Sequence, residues 1–192
     1  MDLRDTIRRV LLVNELGNYA LAAYRFSDPD GPAGRSGYSF GICQFDLRHN
    51  PGAAAILREA DFLEPEIARL KEQTCTTAEL ARLNAKLEAR AGVIDRADTD
   101  EFDAILRHTL QVTANAGLHL SGEETLVHLA DYHNQYHLDF GGKAVKHFQP
   151  FGRPICPADI LDYKLDTAWG KKRPDDVHRR FNNIERICRD SA

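Results

Sequence analysis

The sequence predicts a mainly α fold, and three features carry that expectation. A short polar residue stands three positions before a glutamate at Thr76/Glu79, Asp98/Glu101 and Ser121/Glu124, the reciprocal cap that opens a helix. Behind these caps apolar residues recur at helical spacing, as in Leu80, Leu83 and Leu87. No run alternates polar and apolar residues as a half-buried strand does, and residues 36–46 offer room for no more than a short hairpin or Gly-rich loop.

Taken in order, the first helix is expected from Leu3 to Tyr24. Ile7, Leu11 and Glu15 follow one another at i, i+4 and i+8, which sets Glu15 on or beside the apolar stripe. Asn50-Pro51 pairs a cap residue with a proline at the first helical position, so residues 52–60 read as helix. Glu64-Pro65 starts another, with Ile67 and Leu70 inward, and Thr76 caps the next. The Asp98 cap predicts a longer helix that turns Phe102, Ile105, Leu106 and Leu110 inward and ends near Gly117. The Ser121 cap predicts one holding Leu126, Leu129, Ala130 and His133, stopped before Gly141-Gly142. Pro157 and Pro174 open two more, the last with Val177, Phe181, Ile184 and Cys188 on its inner face. The total is about eight helices.

The chain has 192 residues, of which 43% are hydrophobic and 28% charged, which fits one domain over 1–192 with a packed core. A net charge of −4 gives no basic field for nucleic acid. No apolar run approaches the roughly 20 residues that span a membrane. The opening MDLRDTIRRVLLVNELG is too charged for a signal peptide, so the chain is expected to be made in the cytoplasm, and to be a monomer. Cys43, Cys75, Cys156 and Cys188 form no C-x-x-C pair, which argues against a zinc cluster; two disulfides would need an oxidising compartment.

Chemistry concentrates between Glu15 and Asp46. A helix carboxylate, Glu15, precedes a loop with Asp28 and Asp30, and then comes Ser36-Gly37-Tyr38-Ser39-Phe40-Gly41-Ile42-Cys43-Gln44. Cleaving a glycosidic bond needs one protonated and one ionised carboxyl beside the scissile oxygen, and this layout supplies candidates for both. Glycines let backbone approach a ligand, Tyr38 and Phe40 offer apolar faces for sugar rings, and Gln44 offers an amide. Asp28-Pro29-Asp30-Gly31 also reads as a plain turn, or as the start of a calcium loop that lacks its twelfth-position glutamate. His133 and His137 have the i, i+4 spacing of a zinc pair, but position 134 is Asn and no third ligand is indicated, so neither a metal nor a cofactor is expected.

Glu15 followed by Ser39-Phe40-Gly41-Ile42-Cys43-Gln44 resembles the lysozyme-like superfamily of goose-type lysozymes and lytic transglycosylases. There a helix-borne catalytic Glu precedes a Gly-Leu-Met-Gln-type segment, which Gly41-Ile42-Cys43-Gln44 matches at Gly and Gln. Asp30-Gly31 with Gly37-Tyr38-Ser39-Phe40-Gly41 is similar to bacterial chitosanases of the same superfamily, and Leu129-Ala130-Asp131-Tyr132-His133-Asn134 resembles the Ala-Tyr-Asn helix of transglycosylases. Leu16 stands where transglycosylases carry Ser, and His133 interrupts the Tyr-Asn pair. The resemblance implies two lobes around a cleft and an enzyme that degrades bacterial cell-wall peptidoglycan. Glu15 is then general acid and base, Asp30 or Asp28 orients water, and Tyr38, Ser39, Gln44, Tyr132 and Asn134 bind sugar. Without a signal peptide, delivery by a phage or a secretion apparatus is implied. The alternatives are a chitosanase-type hydrolase and a catalytically inactive helical binding module.

Overall fold

The computed structural model describes residues 2–28, 31, 34 and 36–191. Among them are ten α-helices, one 3-10 turn and one two-stranded sheet, so the chain is mainly α with a short hairpin. It divides into two compact units: Met1–Asn14 with Phe102–Ala192, and Glu15–Glu101.

The first unit holds most of α1 (Leu3–Leu16), the second half of α5 (Ala91–Asn115), and α6 (Glu123–Tyr136), α7 (Lys143–Phe148), α8 (Pro157–Asp166), α9 (Ala168–Lys172) and α10 (Pro174–Asp190). One apolar cluster joins Val112, Leu129, Phe148, Ile155 and Ile160; another joins Val10, Val127, Ile184 and Ile187. A buried polar network lies in the same unit. Asp131 on α6 accepts from Arg180 Nη2 at 2.6 Å, Lys164 Nζ at 3.1 Å and Asn14 Nδ2 at 3.0 Å. Burial opposes the carboxylate, but Arg180 and Lys164 outweigh it and hold Asp131 well below the usual range.

The second unit holds the 3-10 turn Ala20–Tyr24, the antiparallel strands β1 (Ser39–Phe40) and β2 (Phe45–Asp46), α2 (Ala53–Glu59), α3 (Glu64–Glu72), α4 (Thr77–Ala89) and the first half of α5. Its core is aromatic at one end: the Phe26 ring meets those of Tyr38, Phe40 and Phe62 edge-on at 5.8–6.2 Å. Leu57, Leu70, Leu83 and Leu87 complete it.

Side-chain caps set some of the boundaries. Asp2 Oδ1 accepts from the Arg4 and Asp5 N–H groups and opens α1. The Thr76/Glu79 box forms as expected, with Glu79 Oε2 accepting from Thr76 N at 3.0 Å. Four expectations are corrected. Ser121 does not cap α6, whose N-cap is Gly122; its hydroxyl meets Thr125 Oγ1 at 2.9 Å instead. Leu110, expected inward, lies on the outer face of α5 and is 46% exposed. The first helix stops at Leu16 rather than running to Tyr24, because Gly17 and Asn18 turn left-handed at φ 58° and 69°. Asp98 does not open a helix: α5 starts at Ala91 and runs through it, leaving the Asp98 carboxylate for another task. The short helix α7 has no side-chain cap, whereas α9 opens on Thr167, whose Oγ1 accepts from Gly170 N at 3.0 Å. All four cysteines are free.

Candidate active site

Glu15 sits half-buried in the last turn of α1, one residue from the Gly17–Asn18 break. Its charge reaches the hairpin turn: together with burial, Asp98 and Glu101, it helps to push the Cys43 thiol up.

That turn is built from the inside. Gly41 has φ 76°, and a Cβ there would lie 2.8 Å from the Phe45 ring and 2.9 Å from Asp98 Oδ1. No other residue fits both the backbone and the space. Asp98, 2% exposed, accepts from Ile42 N at 2.9 Å and Cys43 N at 3.0 Å, so a helix-interior carboxylate caps the hairpin turn. Burial raises its pKa to about 6 despite these two donors. Gln44 is left-handed at φ 53°; its Oε1 accepts from Ser27 Oγ at 2.9 Å and its Nε2 donates to Gly41 O at 2.9 Å. The Gln44 amide thus ties the turn to the preceding segment. Ser39 is buried and bonds through its backbone to Ser27. Tyr38 puts its ring into the core.

Asp28 lies close enough to Tyr38 that, after burial, its charge is the main influence raising the phenol pKa. Its Oδ1 is buried and has no hydrogen-bond partner among the described residues, an arrangement that a structural carboxylate avoids. Asp30 lies outside the described residues. Asp46 has a structural task, accepting from the N–H groups of Gly37, Arg48 and His49. A cavity of about 340 Å³ opens beside Phe45 in this unit, lined in part by Glu59, Arg96, Asp100 and Glu101.

Compared with known proteins, the chain matches no family model, no curated protein and no solved structure.

Tyr132 and Asn134 belong to the first unit, on α6. Tyr132 lines a cavity of about 620 Å³ with Tyr136, Tyr163, Asp139, Lys143 and Asp166. The Tyr132 ring lies 5.2 Å from that of Tyr136 and 5.8 Å from that of Tyr163. Three phenols with carboxylates and an ammonium form the mixed lining that a sugar, apolar on its faces and hydroxylated at its rim, can fill. Phe140 and Trp169, each next in the chain to a lining residue, are exposed.

The His133/His137 pair has a structural task. His133 stacks on His108 at 4.2 Å, and its Nδ1 accepts from Leu138 N at 3.0 Å, while His108 Nε2 bonds Leu138 O. These rings close the C-terminus of α6, and burial with the neighbouring histidines pushes His133 down to about 4. A different set has the makings of a metal site: Glu124, His128 and Glu185. The i, i+4 pair Glu124/His128 was visible in the sequence, but its partner lies on α10.

Proposed function

We propose that the chain is a glycoside-cleaving enzyme of muramidase or lytic-transglycosylase type that degrades bacterial cell-wall peptidoglycan, with Glu15 as general acid and then base. The observation that carries this reading is a half-buried carboxyl in the last turn of α1, in the same compact unit as a glycine-built hairpin turn. Glu15 gives its proton to the leaving glycosidic oxygen as the C–O bond breaks, and takes one back from the group that adds to the sugar. Asp28, with its unpartnered Oδ1, is the described candidate for a second carboxylate that holds water. Gln44 acts by shaping the turn, and the Tyr132 cavity, within the first unit, is by itself a surface that a sugar can fill. Such a substrate lies outside the cytoplasm, so the enzyme acts in the periplasm or beyond the cell.

Two routes fit this assignment, and the products separate them. If water adds, with Asp28 or Asp30 orienting it, each cut leaves a hydrated reducing end. If the sugar's own 6-hydroxyl attacks, Glu15 suffices and an anhydro end forms. Mass analysis of fragments released from purified peptidoglycan tests the reading; no release of fragments would overturn it. The acidic lining beside Phe45 favours chitosanase as the second reading, since a polycation prefers such a surface. Digestion of chitosan but not of peptidoglycan would select it. An inactive binding module would cleave neither.

A further inference from the structure

Glu124 and His128 stand one turn apart on α6, and Glu185 faces them from α10. One ring nitrogen and one oxygen from each carboxylate lie within 4.8 Å of one another. A tetrahedral metal with bonds of about 2.1 Å holds its donors about 3.4 Å apart, so small side-chain rotations close this set. The second observation concerns the imidazole. His128 is 3% exposed, yet its Nε2 has no hydrogen-bond partner among the described residues. A buried ring nitrogen left open is unusual, because the desolvated group gains nothing in return.

From this juxtaposition we propose that Glu124, His128 and Glu185 form a binding site for a divalent first-row transition metal, of which zinc is the representative. One imidazole and two carboxylates match that class; calcium and magnesium prefer oxygen alone. The carboxylates supply two negative charges, which a divalent ion neutralises. The unpartnered His128 Nε2 is the ring atom left to bind an ion. Both glutamates are half-buried, which leaves the ion a route in from solvent. Cys188, one turn beyond Glu185, lies in the field of both carboxylates and borders the site. Three protein donors leave a position for water. A bound ion would clamp α6 to α10 inside the first unit.

The test uses the full chain stripped with chelator, titrated with zinc by calorimetry and melted with and without it. The expected result is one zinc per chain and a melting temperature several degrees higher in excess zinc. Glu185→Gln keeps the side-chain shape and removes one carboxylate. It should weaken zinc binding beyond the roughly 10–100-fold lost with an outer hydrogen-bond partner of a ligand. Glu124→Gln, read in the same way, keeps the test decisive if Glu185→Gln folds poorly. Absence of saturable zinc binding would overturn the assignment, and so would stoichiometric binding that keeps wild-type affinity in both variants.

Discussion

Asp98 shows how one side chain can serve two elements. It lies inside α5 yet spends both oxygens on the hairpin turn, and burial holds its pKa near 6 rather than 3.8. A raised carboxyl pKa means the fold favours the protonated form. The stabilisation from this group is fully present below about pH 4 and is lost as pH rises through about 6. Asp98→Asn, which cannot ionise, should remove a downward drift in unfolding free energy of about 3 kcal/mol across that window. Urea melts of both proteins at several pH values check this; parallel curves would contradict it. The sequence did show Asp98, but as a helix cap. Its spacing to Glu101 fits a capping box equally well, and only the long-range partners Ile42 and Cys43 reveal the other role. The same holds for Glu124 and His128, whose partner Glu185 is remote in the chain.

At the scale of elements, the hairpin turn rests on Gly41. Gly41→Ala meets a left-handed φ, about 1–2 kcal/mol, and overpacking against Phe45 and Asp98, about 1–3 kcal/mol. The expected loss is therefore about 2–5 kcal/mol in chemical denaturation. Gly17→Ala is the control: its φ is 58°, but nothing lies within 4 Å of the added Cβ, so only the conformational cost of about 1–2 kcal/mol remains. Equal losses in the two variants would show that packing at Gly41 has been misjudged. Helices with polar caps and proline starts were legible, as at Thr76, Pro157 and Pro174, because those signals are local. The end of α1 was missed because a Gly-Asn pair was read through as helix, and α5 was started late because a buried carboxylate imitated a cap. The short hairpin expected within residues 36–46 forms at Ser39–Asp46, its glycines and aromatics being signals of short range.

At the scale of the whole molecule, stability in the first unit depends on Asp131, on which Arg180 and Lys164 converge. Asp131→Asn leaves two buried cations without their carboxylate and should cost about 3–5 kcal/mol. Denaturant midpoints measure this, and a loss under 1 kcal/mol would contradict it. The sign for pH is opposite to that of Asp98. A depressed carboxyl pKa gives stability that is present above about pH 4 and lost as pH falls through its folded value. Where one unit ends and the other begins was not legible, because α1 and α5 are continuous helices that belong to both. The functional account rests on Glu15. Glu15→Gln keeps the shape and removes the transferable proton, so its effect should fall on chemistry and not on folding. The decisive measurement is the rate of fragment release from purified peptidoglycan by wild type and Glu15→Gln, with a melting curve of each. The account predicts a loss of about 10²–10⁴-fold with nearly unchanged melting. Near-wild-type release by Glu15→Gln would contradict it.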